Sequence, residues 1–133
     1  MDKRKKNYYN DIYGNDDFVI ELKKKDFNIK NNKLKIKNKD FNDNKSLIIF
    51  YAPWCAHCRN IYSDVRELSI SNLYKFKIGA VNINDINNKN YLLSDILQIK
   101  SIPCVYVIKN KELIKFNKEI NYENLFYYIS MNI

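Results

Sequence analysis

Apolar residues fall into short blocks along the chain, separated by polar stretches rich in lysine and asparagine. Leu47–Ala52, "LIIFYA", is apolar throughout, and Phe76–Ile83, "FKIGAVNI", is largely so. A run without polar alternation is typical of a strand that is covered on both faces of a sheet. These two blocks therefore predict two central, buried strands.

Shorter blocks predict the outer strands. Phe18–Leu22, "FVIEL", is one, and Lys33–Ile36 alternates apolar residues with lysines as an exposed strand does. Cys104–Lys109, "CVYVIK", and Glu112–Asn117, "ELIKFN", are separated by a tight polar turn. That spacing predicts a β-hairpin.

Three stretches carry apolar residues at helical spacing. The predicted helices run from Cys55 to about Ser69, within Asn88–Ile99, and over Asn121–Met131. Asn121 is suited to cap the last of them, because its side chain can accept from a free backbone N–H. Strands alternating with helices in this order predict a mixed α/β protein without internal repeats.

A length of 133 residues is that of one domain. Residues 1–17 are polar, charged and aperiodic, which predicts a mobile N-terminal arm ahead of a domain over residues 18–133. No run reaches the roughly 18 apolar residues of a membrane span, and the basic start has no apolar stretch behind it. We therefore expect a cytoplasmic monomer without a membrane partner.

The formal net charge of +8 raises the question of a nucleic-acid partner. Almost all of the positive charge is lysine spread along the chain, with arginine only at Arg4, Arg59 and Arg66. Arginine is the preferred reader of bases and phosphates, so no nucleic-acid binding is expected. The bias toward Lys, Asn, Ile and Tyr fits an AT-rich genome, and a large DNA virus as the source would make packaging in virions an alternative location.

The segment "FYAPWCAHCRN" places Cys55 and Cys58 two residues apart, with the single histidine, His57, between them. The pair lies at a predicted helix start, where free backbone N–H groups favour a thiolate. A structural zinc site needs four ligands; only Cys104 and His57 could join the pair, and His57 is badly placed to do so. A redox dithiol is favoured, with Cys55 as nucleophile, Cys58 as resolving thiol, and no metal.

The segment "LIIFYAPWCAHCRN", followed about 45 residues later by "SIPCVYVIKNKE", resembles the thioredoxin superfamily. The part "FYAPWCAHC" looks like the active-site segment of a protein disulfide isomerase domain. The resemblance covers about Phe18 to Met131. It implies an α/β thioredoxin fold, a central mixed sheet flanked by helices, here with an N-terminal extension. It also implies that Pro103, after Ile102, is a cis-proline that faces the dithiol and binds a substrate chain.

The implied activity is thiol–disulfide exchange with cysteine-containing proteins, with no cofactor beyond the dithiol and with an unknown reductase or oxidase to recycle it. A histidine in the position of His57 stabilises the reduced form, which favours a relatively oxidising couple. Trp54 is expected to form a partly exposed lip over the dithiol. The alternative is a thioredoxin-fold binding or chaperone module with little or no redox activity.

The sequence departs from the family at positions close to the dithiol. The buried carboxylate that relatives carry near the inner cysteine is replaced by Ile49, and the lysine opposite it by Ala80. The helix-kinking proline of the family is Ser63 here. Cys104, after the expected cis-proline, is either a third redox thiol or metal ligand or a small apolar core residue, and strand alternation favours the core.

Overall fold

The computed structural model describes residues 11–41, 46–71 and 76–131. Its centre is a seven-stranded mixed sheet with the strand order β1-β5-β4-β6-β7-β3-β2. The strands are β1 (Ile20–Leu22), β2 (Phe27–Lys30), β3 (Lys33–Ile36), β4 (Leu47–Tyr51), β5 (Ile78–Asn82), β6 (Cys104–Lys109) and β7 (Glu112–Lys115). A single turn of 3-10 helix at Lys24–Asp26 precedes β2.

The two central strands lie where the apolar runs predict them. All five residues of β4 are buried. This strand pairs in parallel with β5, with Ile49 opposite Ala80, and antiparallel with β6, with Phe50 opposite Cys104. Both faces of β4 are covered because its side chains alternate between two apolar clusters, one on each face of the sheet.

Within the described residues, four helices cover the sheet. They are α1 (Ala56–Asn60), α2 (Tyr62–Ser71), α3 (Tyr91–Leu97) and α4 (Tyr122–Met131). The buried residues of α2 and α4 belong to one apolar cluster, whereas Leu93 of α3 belongs to the other. The α/β fold with a mixed sheet between helices is therefore confirmed. None of the helices in the described residues is long and apolar enough to cross a membrane.

The helix predicted from Cys55 to about Ser69 is divided in the structure. It ends at Asn60 and begins again at Tyr62, with Ile61 between the two parts. Its apolar stripe runs across this break, so the stripe alone could not reveal it. The last helix, by contrast, is as predicted: Asn121 accepts from the N–H of Asn124 at 2.8 Å.

Strand β2 was not predicted, because only its first residue, Phe27, is buried. It forms a hairpin with β3 through Asn31 and Asn32, both at positive φ (54° and 60°). Two such residues define the turn that suits a two-residue hairpin, and asparagine tolerates the conformation better than most residues. The hairpin extends the sheet beyond β7.

The expectation of a mobile arm over residues 1–17 is wrong for the part that the structure describes. Residues 1–10 lie outside the described residues, but Tyr13 is only 1% exposed and belongs to the core. The polar character of this segment concealed it, since Asp11 and Asp16 are used in hydrogen bonds rather than left in solvent. Residues 11–17 therefore pack against the domain.

Candidate active site

Strand β4 leads directly into the cysteine pair. After the strand, the N–H of Cys55 donates to the carbonyl of Ala52 at 3.1 Å, and Cys55 becomes the N-cap residue of α1. The N–H of Cys58 donates to Sγ of Cys55 at 3.2 Å. The Cys55 sulfur thus lies at the start of the helix, against the backbone of the turn that leads to Cys58.

The two thiols differ in access to solvent. Cys55 is 6% exposed and Cys58 is fully buried beneath it. Both are free thiols. Cys55 is thus the outer cysteine of the pair, and its role as nucleophile with Cys58 as resolving thiol stays a prediction.

The loop before β6 contacts the dithiol. The Ile102–Pro103 peptide bond is cis, and the thiol of Cys55 donates to the carbonyl of Ile102 at 3.8 Å. Because β6 lies beside β4 in the sheet, the start of one strand meets the end of the other. The structure thus brings Cys55, Cys58 and the Ile102–Pro103 pair together, as the resemblance to the thioredoxin superfamily implies.

Trp54 and His57 flank the outer cysteine. Trp54 is 52% exposed, and His57 is an exposed residue of α1. Their side chains are therefore available to a bound partner. Their roles in redox tuning and substrate contact stay predictions.

Cys58 lies in apolar surroundings. Burial, followed by its hydrogen bond with Cys55, raises the pKa of the Cys58 thiol to about 12. Ile49 and Ala80, the residues that replace the expected carboxylate and lysine, are register partners in the same cluster. Neither can accept the Cys58 proton.

The N-terminal segment contributes a residue that sequence reasoning missed. The hydroxyl of Tyr13 donates to the backbone carbonyl of Cys58 at 2.6 Å. Its ring lies 4.5 Å from that of Tyr51 and 5.1 Å from that of Tyr62, measured between centroids. The one signal in the sequence was an aromatic residue in "DIYG", a stretch otherwise typical of a turn.

Cys104 faces away from the dithiol. It lies in the apolar cluster on the opposite face of the sheet, and burial raises the pKa of its thiol. The described residues contain no group of three or more His, Cys, Asp or Glu side chains that could hold a metal ion. The position of Cys104 agrees with the interpretation of a small apolar core residue.

Comparison with known proteins decides the family. A family model described as thioredoxin matches residues 18–130. The chain belongs to the thioredoxin family. The match covers every predicted site residue, but it begins after Tyr13.

Curated relatives of this thioredoxin domain include thioredoxins and protein disulfide isomerases. It is 38% identical to thioredoxin of Griffithsia pacifica over 48% of this chain and 55% of that protein. It is 30% identical to protein disulfide-isomerase MPD1 of Saccharomyces cerevisiae, over 74% of this chain and 28% of that protein. Human protein disulfide-isomerase A6 is 26% identical, over 74% of this chain and 20% of the relative. The matches therefore span little more than half of the thioredoxin and under a third of the two isomerases.

A solved structure supports the fold of the thioredoxin domain. The J-Trx1 fragment of ERdj5 superposes with a TM-score of 0.66 over 90% of this chain and 52% of that one, at 22% identity. The combined matches identify a thioredoxin domain that resembles those of protein disulfide isomerases. The domain is therefore similar to those of thiol–disulfide oxidoreductases.

Proposed function

We propose that this protein exchanges disulfides with cysteine-containing proteins through the Cys-Ala-His-Cys dithiol. The observation that carries the proposal is the environment of the Cys55 sulfur. It accepts the N–H of Cys58 at 3.2 Å, caps a helix, and lies 3.8 Å from the carbonyl of Ile102 beside the cis-proline. The attacking sulfur thus lies next to backbone that can hold a substrate chain.

The exchange proceeds in two steps. The thiolate of Cys55 attacks one sulfur of a substrate disulfide, and the other substrate sulfur leaves as a thiolate. Cys58, once deprotonated, attacks the Cys55 sulfur and expels the second substrate thiolate. The substrate gains two electrons and the protein is left with a Cys55–Cys58 disulfide, which an external dithiol must reduce before the next cycle.

The neighbouring residues support this chemistry. Pro103 and the Ile102 carbonyl offer main-chain contacts to an extended substrate, and the exposed ring of Trp54 can pack against its side chains. His57, when protonated, adds a positive charge that favours the reduced state. We place this exchange in the cytoplasm, with a reductase or oxidase of unspecified kind as the second partner.

A thioredoxin-fold binding or chaperone module is the second candidate. The environment of Cys58 favours it, because a buried thiol with a pKa of about 12, in a cluster where Ile49 and Ala80 cannot accept its proton, releases a bound substrate slowly. In that case the domain would hold a partner rather than turn over its disulfides.

Reduction of insulin disulfides by dithiothreitol tests the proposal. We expect the protein to accelerate it, Cys55→Ser to abolish the acceleration, and Cys58→Ser to accumulate a mixed disulfide with insulin. Cys104→Ala is the matched control and should keep wild-type activity, since Cys104 lies on the other face of the sheet. Full activity in Cys55→Ser, or no activity in the reduced wild type, would contradict the proposal.

A further inference from the structure

The break between α1 and α2 needs a physical cause. Sharp helix breaks usually occur at proline or where a side chain enters the backbone hydrogen-bond ladder. Where relatives carry the kinking proline, this chain has Ser63, so proline is not the cause of the break. In an uninterrupted helix the Cys58 carbonyl would accept the N–H of Tyr62, but it accepts the hydroxyl of Tyr13 at 2.6 Å instead.

This hydroxyl is held in place from two sides. The rings of Tyr51 and Tyr62 pack against Tyr13, and the hydroxyl of Tyr51 donates to the carboxylate of Asp11 at 2.8 Å. On the other side, the Asp16 carboxylate accepts from Tyr62 and lies 3.3 Å from Nε of Arg66. These contacts fix the segment between Asp11 and Asp16 against β4 and α2.

The Asp16 carboxylate also holds the chain that follows it. It accepts the N–H groups of Phe18 at 2.7 Å and Val19 at 2.9 Å. Although burial alone would raise its pKa, these hydrogen bonds, the Tyr62 hydroxyl and the Arg66 charge lower the pKa of Asp16 overall. The carboxylate is therefore ionised at neutral pH and anchors the segment.

The bond from Tyr13 continues into the dithiol turn. The Cys58 carbonyl, which accepts from Tyr13, belongs to the same peptide group as the N–H of Arg59. That N–H donates to the carbonyl of Cys55 at 3.1 Å. Hydrogen bonds in such a chain strengthen one another. The N–H of Cys58 also donates to the Cys55 sulfur, so the orientation of the whole turn depends on the position of the Cys58 carbonyl.

We propose that Tyr13 is a positioning residue for the dithiol: its hydroxyl holds the Cys58 carbonyl at the helix break and thereby fixes the turn in which Cys58 attacks the Cys55 sulfur. The role rests on the proposed exchange chemistry. Tyr13 acts as a donor and not as a proton acceptor, since burial and the neighbouring cysteines raise its pKa well above the ordinary value. Its segment precedes the residues that match the family model.

The experiment measures the resolution step with oxidised glutathione as the probe. Glutathione forms a mixed disulfide on Cys55, and its release by Cys58 is followed by stopped flow between pH 7 and 10. Tyr13→Phe keeps the ring and removes the hydroxyl. We expect resolution to be about 3- to 10-fold slower than in the wild type, which corresponds to the loss of one hydrogen bond. The factor should be the same at every pH, because the substitution changes the geometry of the turn and not the proton transfer.

Tyr106→Phe is the matched control. It removes another buried tyrosine hydroxyl, one that lies in the cluster on the opposite face with Cys104. It should leave the resolution rate unchanged. A wild-type rate in Tyr13→Phe, an equal loss in Tyr106→Phe, or a loss that disappears at high pH would each overturn the positioning role.

Amide hydrogen exchange gives a readout that does not depend on protein substrates. In reduced Tyr13→Phe, exchange at the amides of Cys58 and Arg59 should be faster by a similar factor, and in Tyr106→Phe it should not change. Unchanged exchange at both amides in Tyr13→Phe would overturn the proposal. If insulin reduction fails while these two effects of Tyr13→Phe are present, the proposed substrate class is wrong and the positioning role stands.

Discussion

The two faces of the sheet bury thiols in different ways. On the first face, Cys55 and Cys58 lie among residues that also bring polar groups, namely the hydroxyls of Tyr13 and Tyr51. On the second face, Cys104 lies among leucine, isoleucine, valine and aromatic side chains. The first face therefore places its thiols in a turn that hydrogen bonds hold, one of which reaches the Cys55 sulfur, whereas the second face buries Cys104 within a strand, beside the Tyr106 side chain.

Burial alone does not make a cysteine reactive. Burial raises the pKa of both Cys58 and Cys104. What separates them is the neighbour: Cys58 lies one helical turn from a second sulfur that its own N–H contacts, whereas Cys104 is within the strand β6. The chemistry of the domain thus depends on the turn between Cys55 and Cys58, and the opposite face serves as an internal reference for experiments.

The largest expected effect is the pH dependence of the resolution step. Burial is the largest cause of the raised pKa of Cys58, and below that pKa the fraction of attacking thiolate rises about tenfold for each pH unit. The decay of the glutathione mixed disulfide should therefore accelerate roughly 100-fold from pH 7 to pH 9. Cys104→Ala should show the same slope. A rate that levels off near pH 8 would mean that an unidentified group accepts the Cys58 proton.

Much of the fold follows from apolar patterning alone. The apolar runs at β4 and β5 and the alternation in β3 match the residues that are buried in the structure, so these strands can be predicted from the sequence. Strand β2 was not predicted, because it has one buried residue and is held mainly by backbone pairing with β3. The pattern of apolar residues does not reveal such pairing, because backbone hydrogen bonds between strands do not require particular side chains.

The site was predictable in its center and not at its edge. Cys55 and Cys58 were predicted from their spacing and their place at a helix start, and the Ile102–Pro103 pair from the resemblance to the thioredoxin superfamily. Tyr13 was not, since its partner is a backbone carbonyl 45 residues away. Because every residue has a backbone carbonyl, a hydrogen bond to one requires no particular residue type, and no sequence pattern connects Tyr13 with Cys58.

The second prediction restores the missing carboxylate on the first face. Ile49→Glu would place an acid in the cluster that contains Cys58. We expect resolution at pH 7 to become about tenfold faster, because a nearby carboxylate can accept the thiol proton. The free energy of unfolding should fall by about 3 kcal/mol, since the charge has no buried partner. Stopped flow and urea denaturation measure the two effects.

Ile48→Glu is the matched control for this substitution. Ile48 is the neighbouring residue of β4 and is fully buried, but it faces the second cluster. The loss of stability should be similar and the resolution rate unchanged. Equal acceleration in both variants would show that a general loosening of the sheet, and not the carboxylate, exposes Cys58.

The smallest expected effect is purely structural and lies on the second face. An added methyl group at Gly79 of β5 would overlap the side chain of Leu22 and would lie 2.7 Å from Cζ of Phe41. Gly79→Ala should therefore lower the free energy of unfolding by about 1–3 kcal/mol, the usual cost of overpacking a core. Since the overlap is across the sheet from the dithiol, the resolution rate at pH 7 should stay within a factor of two of the wild type. Urea denaturation and stopped flow on the same preparation measure both quantities. A large change in rate would show that strain on the second face reaches Cys58 through β4, and the two faces could then no longer serve as independent references.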